Sequence, residues 1–497
     1  VLGLVREVNP DEALTIASAR GALAHPIPWL GFDGGTIGPI NVGALAWLQA
    51  LGLPATYQAE RILELVLQIA VALTCYVLVR LAVGEVAARV STFLVSGFFA
   101  TTSASPDFIF YSSETLPTLL LLFAATAVVA ARANRKVALV AVSAAGFLIG
   151  VVPFAKLQLA PTAAAVAAIV FASLAVKQDD LRQRRIFTLG FGCGIITAAS
   201  AVLLPVIASG SWRDFLTSYV LQGLAYVRAT PHSWATGGLD LRLAPALFVF
   251  VLSAALLILM NLGVWIREGW ARRPDEGRPW LFAAAIASVA AVVTFCAILP
   301  HEPFAHHFLP LVPLLAIFAG TITSIAFDSA PTLARDVTVL GIAGYLFCGA
   351  FLSTRVDAPY MAMIIDPSSP VYYWDEPTVE ISELLSRVAP GEAIAVWGWS
   401  PEVYVATGAT EGTREAETQF QMWPGPYQSY YIARYIGDLE ARHPKYFLDA
   451  VRDIPVNPPL TTPGDRHDRY PSVAAYVASR YRLIAQLGGR RLYVRTR

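Results

Sequence analysis

Charge is what this sequence has least of. Lys, Arg, Asp and Glu make up 14% of its 497 residues, where a soluble globular chain carries about 25%. The deficit comes from long apolar runs: hydrophobic residues reach 56%, which excludes a chain that is water-soluble throughout. Net charge is missing too. The 36 basic and 36 acidic residues cancel, so no global field points to a nucleic acid. Cysteine is scarce, and all four (Cys75, Cys193, Cys296 and Cys348) lie in apolar runs without metal-ligand spacing. They suit small buried hydrophobes, and the tail beyond Cys348 has no disulfide framework. The sequence shows no signal peptide, internal repeat, low-complexity segment or nucleotide-cradling glycine-rich loop.

What is there is a series of membrane-length runs. A spanning helix needs about 20 mostly apolar residues. Ten runs qualify, near 62–79, 88–104, 115–131, 137–155, 157–176, 186–208, 243–265, 280–300, 308–327 and 337–353. Val1 to Val8 suits the end of a further apolar helix. Lys and Arg set the orientation. Fourteen fall in one set of connections, such as Arg132, Arg135 and Lys136, or Lys177, Arg182, Arg184 and Arg185, against five (Arg20, Lys156, Arg213, Arg228 and Arg242) in the other. The first set is expected on the cytoplasmic side of an inner (plasma) membrane. The even number of runs then places the 9–60 segment and the tail together outside.

The expected fold class is a multi-span α-helical membrane protein with a C-terminal soluble α/β domain, divided as 1–355 and 356–497. In the tail, helices are expected near 376–388, 428–442 and 471–479, with strands near 393–398, 445–450, 481–487 and 491–495. Ser400-Pro401-Glu402 reads as N-cap, first-turn proline and dipole-matched acid of a short helix.

Several polar groups collect on the expected external face. Asp11-Glu12, after Asn9-Pro10, suit either solvated interfacial charge or a general base for transfer to a hydroxyl. His25 to Ile40 is too rich in Pro and Gly for a continuous helix, while Asn41 to Leu51 suits a helix lying in the interface. Arg61 and Glu64, three apart, suit a self-neutralising pair at a helix end. Glu114 stands at the start of a span, where it matches the helix dipole or takes part in chemistry. Lys156 interrupts an apolar stretch between two spans joined by almost no loop, which favours a phosphate contact over a snorkelling lysine. In His301-Glu-Pro-Phe-Ala-His-His307 the spacing matches no standard zinc pattern. Phosphate contact is favoured and no metal is assigned. Gly146-Phe-Leu-Ile-Gly150 is a small-xxx-small pair for helix packing.

In this order the motifs resemble a family, the GT-C-fold glycosyltransferases, which include the protein O-mannosyltransferases and the aminoarabinose transferases of lipid A. The resemblance is carried by Asp-Glu followed by Gly38-Pro39-Ile40 and Arg61, by Gly150…Lys156…Pro161, by Phe304-Ala-His-His-Phe-Leu-Pro-Leu-Val-Pro313, and by Val396-Trp-Gly-Trp-Ser-Pro-Glu-Val-Tyr404 with Gly408 and Arg414. It departs from the family at Gly38-Pro39, where Pro-Pro is usual, and at His306-His307, where His-Tyr is usual. The resemblance implies a polyprenyl-phosphate-sugar donor, a glycan, lipid or protein acceptor, inversion at the anomeric carbon, and no cofactor. Asp11 would be the base, with Glu12 and Glu114 as further acids. Lys156, His306 or His307, and Arg61 would meet the donor phosphate. Three rivals are a flippase for a lipid-linked sugar, whose ionisable groups belong near the midplane of broken helices, a structural or assembly subunit whose polar groups do no chemistry, and a ligase that moves a whole glycan.

Overall fold

The computed structural model describes residues 9–102, 105–133, 138–176, 181–229, 245–269, 278–299, 304–352, 385–451 and 463–496. Three expectations fall outside them: the helix end at Val1 to Val8, the residues His301 and Glu302, and all but the last four residues of the 376–388 helix.

All ten apolar runs form helices. By length and composition, seven helical stretches among the described residues can cross a membrane: Tyr57–Ala82, Ala138–Ala155, Leu157–Leu174, Leu181–Ala208, Pro245–Glu268, Pro279–Ile298 and Ala305–Ser329. The helices Glu85–Thr101, Thr115–Ala133 and Pro331–Leu352 occupy the other three runs. The chain is thus a multi-span helical membrane protein. It clusters into two compact units. One comprises Leu63–Leu203 and Thr230–Ala362; the other comprises Leu2–Ile62, Leu204–Ala229 and Met363–Arg497.

In the first unit, small residues let helix backbones touch. A Cβ on Gly146 would meet the Phe191 carbonyl oxygen at 2.1 Å, and one on Gly194 would meet that of Ser143 at 2.1 Å. The packing role read for the Gly146–Gly150 pair is what the structure shows. An aromatic chain fills the core nearby: Phe98 meets Phe108 and Phe250 edge-on at 5.3 and 5.2 Å, and Phe250 meets Tyr345 at 6.1 Å.

The second unit holds a helix in the 9–60 segment, where the sequence alone gives no expectation of one before Asn41. Helix α1 spans Pro10–Ala24: Asn9 accepts a hydrogen bond from the Asp11 N–H, Pro10 takes a first-turn position, and Asp11 and Glu12 lie in the first turn. The cap, proline and acids together specify a helix start. Helix α2, Pro39–Ala50, is the expected short apolar helix, and Pro39 starts it. Between them the chain turns tightly, with Trp29 at φ +61° and its N–H bonded to the Phe32 carbonyl at 2.8 Å. Gly31 is required here, because a Cβ would meet the His25 carbonyl oxygen at 2.2 Å. Helix α3, Tyr57–Ala82, begins in this unit.

The C-terminal sheet has the order β2-β1-β3-β5-β4. Strand β1 (Ala393–Trp397) pairs in parallel with β2 (Thr410–Glu411) and β3 (Tyr446–Asp449). Strand β5 (Arg490–Arg495) is antiparallel to both β3 and β4 (Tyr481–Leu487). Helices Gln428–Arg442 and Pro471–Arg480 stand at the expected places. Trp397 packs edge-on to Tyr435 at 5.4 Å and against Tyr470 at 5.0 Å in the domain core. One cap differs from expectation. The short helix Glu402–Thr407 is capped by Pro401 without a side-chain bond, and Ser400 contributes its backbone carbonyl to Val403 N–H at 3.3 Å.

Candidate functional site

The first unit gathers three separated stretches. The turn before helix Thr115–Ala133 carries Ser112, Ser113 and Glu114, all buried. Lys156 sits at the break between helix Ala138–Ala155 and the 3₁₀ turn Leu157–Leu159, in extended backbone at φ −151°. The break gives the side chain a direction that a continuous helix would deny it. Its ammonium lies 3.0 Å from Glu114 Oε1 and donates to Ser113 Oγ at 2.7 Å. The Ser112 and Ser113 hydroxyls donate to Glu114 Oε2 at 2.7 and 3.0 Å. His306 and His307 come from the 3₁₀ turn Ala305–Phe308, with rings edge-on at 4.7 Å. His306 Nδ1 is 3.8 Å from Asp107 Oδ1, and Phe304 stacks on the His306 ring at 5.5 Å.

Glu114, His306 and His307 each bring one ligand-type atom within 4.8 Å of the others, so their chemistry also fits a metal ion. Lys156 weighs against that use, since its ammonium already stands beside the carboxylate and a cation there would meet like charge.

Asp11, Glu12 and Arg61 belong to the second unit. Glu12 and Arg61 form a two-pronged pair, with Nε to Oε1 at 2.6 Å and Nη2 to Oε2 at 2.8 Å. Both side chains are 0% exposed. Arg61 also lies over the Tyr57 ring at 5.7 Å. Asp11 is only half-buried. Glu64, the neighbour expected to pair with Arg61, accepts bonds from Thr115, Gln68 and the Ser112 N–H.

Sequence reasoning missed the acids that the tail brings up to α1. Glu417 is half-buried, and its Oε2 is enclosed without a hydrogen-bond partner. Burial first, then the charges of Asp11 and Glu415, push its carboxyl up to about 8. Glu411 lies over Gly21, where a Cβ would meet its Oε2 at 2.1 Å. Burial raises its carboxyl well above the ordinary range, against the opposing charges of Arg442 and Arg20. Arg414, noted in the sequence, is a tie: it holds Asp438 at 2.7 Å, Asp214 at 2.9 Å and the Trp29 carbonyl at 2.7 Å. Arg434 binds Asp33 at 2.7 Å and also pairs with Glu415. The Ser218 hydroxyl donates to Asp33 at 2.5 Å. No local pattern signals the bonds of Arg414 to Trp29 and Asp214 or of Arg434 to Asp33, since those partners lie 200 or more residues away.

No protein-family model and no curated protein matches the sequence. Solved structures do match. ArnT from Cupriavidus metallidurans bound to undecaprenyl phosphate aligns over 98% of this chain and 93% of its own, at 11% identity and a TM-score of 0.57. The same protein in its apo state aligns over 99% and 94%, at 12% identity and 0.54. The Archaeoglobus fulgidus oligosaccharyltransferase aligns over 90% and 66%, at 12% identity and 0.45, too loose a likeness to argue from. The fold is thus that of ArnT over nearly the whole chain, the GT-C fold that the sequence motifs resemble.

Proposed function

We propose that this protein is a membrane glycosyltransferase that moves a sugar from a polyprenyl-phosphate donor to a hydroxyl-bearing acceptor on the external face. The observation that carries the reading is the whole-chain likeness to ArnT, whose solved structure holds undecaprenyl phosphate. The chemistry of both clusters supports it. Asp11, the less buried of the two neighbouring acids, takes the proton of the acceptor hydroxyl. The hydroxyl oxygen attacks the anomeric carbon as the bond to the donor phosphate breaks, so the configuration inverts. A phosphate leaving group needs no second carboxylic acid, unlike ordinary glycoside hydrolysis.

The departing phosphate gains negative charge in a low-dielectric setting, where fixed positive groups lower the barrier. Lys156 supplies one. An ammonium has three N–H donors; Ser113 takes one, Glu114 stands beside it as the counter-charge, and a further N–H serves a phosphate oxygen. His306 and His307 stand on the same cluster. Glu12 and Arg61, expected as a second acid and a phosphate contact, are here assigned to each other, and their buried pair holds the start of α3 against α1 beside Asp11.

The test uses purified protein in lipid nanodiscs with a synthetic polyprenyl-phosphate sugar. Lys156→Ala is expected to weaken donor use by about tenfold or more, because it removes a charge-assisted contact. Chelation is expected to change little. Activity with a nucleotide sugar alone would contradict the donor assignment. Loss on chelation, restored by metal, would reassign Glu114, His306 and His307 as ligands.

A further inference from the structure

Glu64 has no role in the steps above, yet the structure assigns it one. We infer that Glu64 is the positioning residue of the donor-phosphate site, holding the turn that carries Ser113 and Glu114 at the place where Lys156 meets them. The inference rests on the donor reading above and adds a residue to it.

Glu64 lies near the start of α3 with its side chain fully buried. An ionisable group in a spanning helix is costly, and it is usually kept for function. Here three donors converge on one carboxyl. Oε1 accepts the Thr115 hydroxyl at 2.7 Å and Gln68 Nε2 at 3.0 Å, and Oε2 accepts the Ser112 N–H at 3.3 Å. Gln68, one helical turn along, also donates to the Phe108 carbonyl at 2.8 Å. One face of α3 therefore grips the turn at both ends, at Phe108 and at Ser112 to Thr115.

Ser112 and Ser113 then bind Glu114, and Ser113 and Glu114 bind Lys156. The hydrogen bonds run unbroken from Glu64 to the Lys156 ammonium. Removing Glu64 leaves the Ser112 N–H and the Thr115 hydroxyl without their acceptor, and both seek other partners. The turn shifts, and Lys156 loses its aim. Glutamine at 64 keeps one accepting oxygen and turns the other into a donor, so it cannot accept from all of Thr115, Gln68 and the Ser112 N–H at once. It can restore only part of the grip.

The experiment measures turnover of synthetic polyprenyl-phosphate sugar, and binding of polyprenyl phosphate, by folded protein in nanodiscs. The variants are Glu64→Ala, Glu64→Gln, Thr115→Val and Lys156→Ala. Glu64→Ala is expected to raise the donor KM and the polyprenyl-phosphate Kd by about tenfold, with a smaller change in kcat. Glu64→Gln should fall between it and the wild type. Thr115→Val, which deletes one donor to Glu64 without opening a cavity, should raise KM several-fold and decides the matter if Glu64→Ala does not fold. A merely structural Glu64 would lower the yield of folded protein and leave KM unchanged. If Lys156→Ala weakens donor binding while Glu64→Ala and Thr115→Val keep the wild-type KM and Kd, the inference is wrong and the donor reading stands. If Lys156→Ala leaves donor binding intact, the donor reading falls and takes this inference with it.

Discussion

Glu12 and Arg61 have no exposed side-chain surface, and their two-pronged pair offsets the cost of burying both charges. Breaking such a pair from one side strands a buried charge, at a cost of about 3–5 kcal/mol. Arg61→Met alone should therefore lower the unfolding midpoint sharply, and adding Glu12→Gln should recover part of the loss. Equal midpoints for the single and double variants would show that the pair does not carry its charge as described. Asp11 is expected to behave differently. Asp11→Asn keeps shape and hydrogen bonding but removes basicity, so turnover should fall by about 10²–10⁴-fold with donor still bound. Single-turnover kinetics separate the two effects, and near-normal turnover would remove Asp11 as base. Glu417 adds a pH dependence. Its carboxyl titrates at about 8 in the fold against an ordinary 4.5. Between those values the folded protein holds a proton that the unfolded chain releases, so stability falls as pH rises through that window and levels off above it. Glu417→Gln should lessen the fall of the unfolding midpoint across the window, leaving the share that Glu411 contributes through its own raised carboxyl; parallel curves for the two proteins would contradict the shift.

At the scale of elements, the apolar runs were legible because a bilayer imposes one length and one composition on whatever crosses it. The tail was legible because its strands and helices alternate with clear periods: the expected 428–442 helix is Gln428–Arg442 and the expected 481–487 strand is Tyr481–Leu487. Strand β2 was missed, since two residues carry no period. Helix α1 was missed for another reason. Asn9-Pro10-Asp11-Glu12 reads as interfacial charge following a helix that ends at Val8, although the same four residues spell a start, and the alanine-rich run behind them has no clear apolar face. Glycine packing gives the sharpest prediction at this scale. Gly146→Ala puts a Cβ at 2.1 Å from the Phe191 carbonyl oxygen, whereas Gly192 has nothing within 4 Å of a built Cβ. Gly146→Ala should cost about 1–3 kcal/mol of stability, and Gly192→Ala should be neutral or mildly stabilising. Equal thermal midpoints in detergent would refute the close approach of the two helices.

At the scale of the whole molecule, the sequence motifs anticipated the fold but not the grouping of the chain. Residues 2–62 cluster with 204–229 and the tail, through ties such as Arg414 to Trp29 and Asp214, and Arg434 to Asp33. Arginine–carboxylate pairs between distant segments obey no period, so nothing in the sequence announces them. Orientation, by contrast, is a sequence property. The asymmetry of Lys and Arg between alternate connections predicts an external tail. A reporter active only in the cytoplasm, fused at Arg497, should stay dark in intact cells, and a bright fusion would invert the arrangement and move the proposed site to the cytoplasmic face.

The central claim is that the buried cluster around Lys156 holds the phosphate of a polyprenyl lipid. Its most direct test is native mass spectrometry of the protein purified from its own membrane under mild conditions. The account predicts a co-purifying polyprenyl phosphate, or its sugar-bearing form, on the wild type and its loss in Lys156→Ala. A wild-type spectrum showing only bulk phospholipid, or equal polyprenyl phosphate on both proteins, would contradict it.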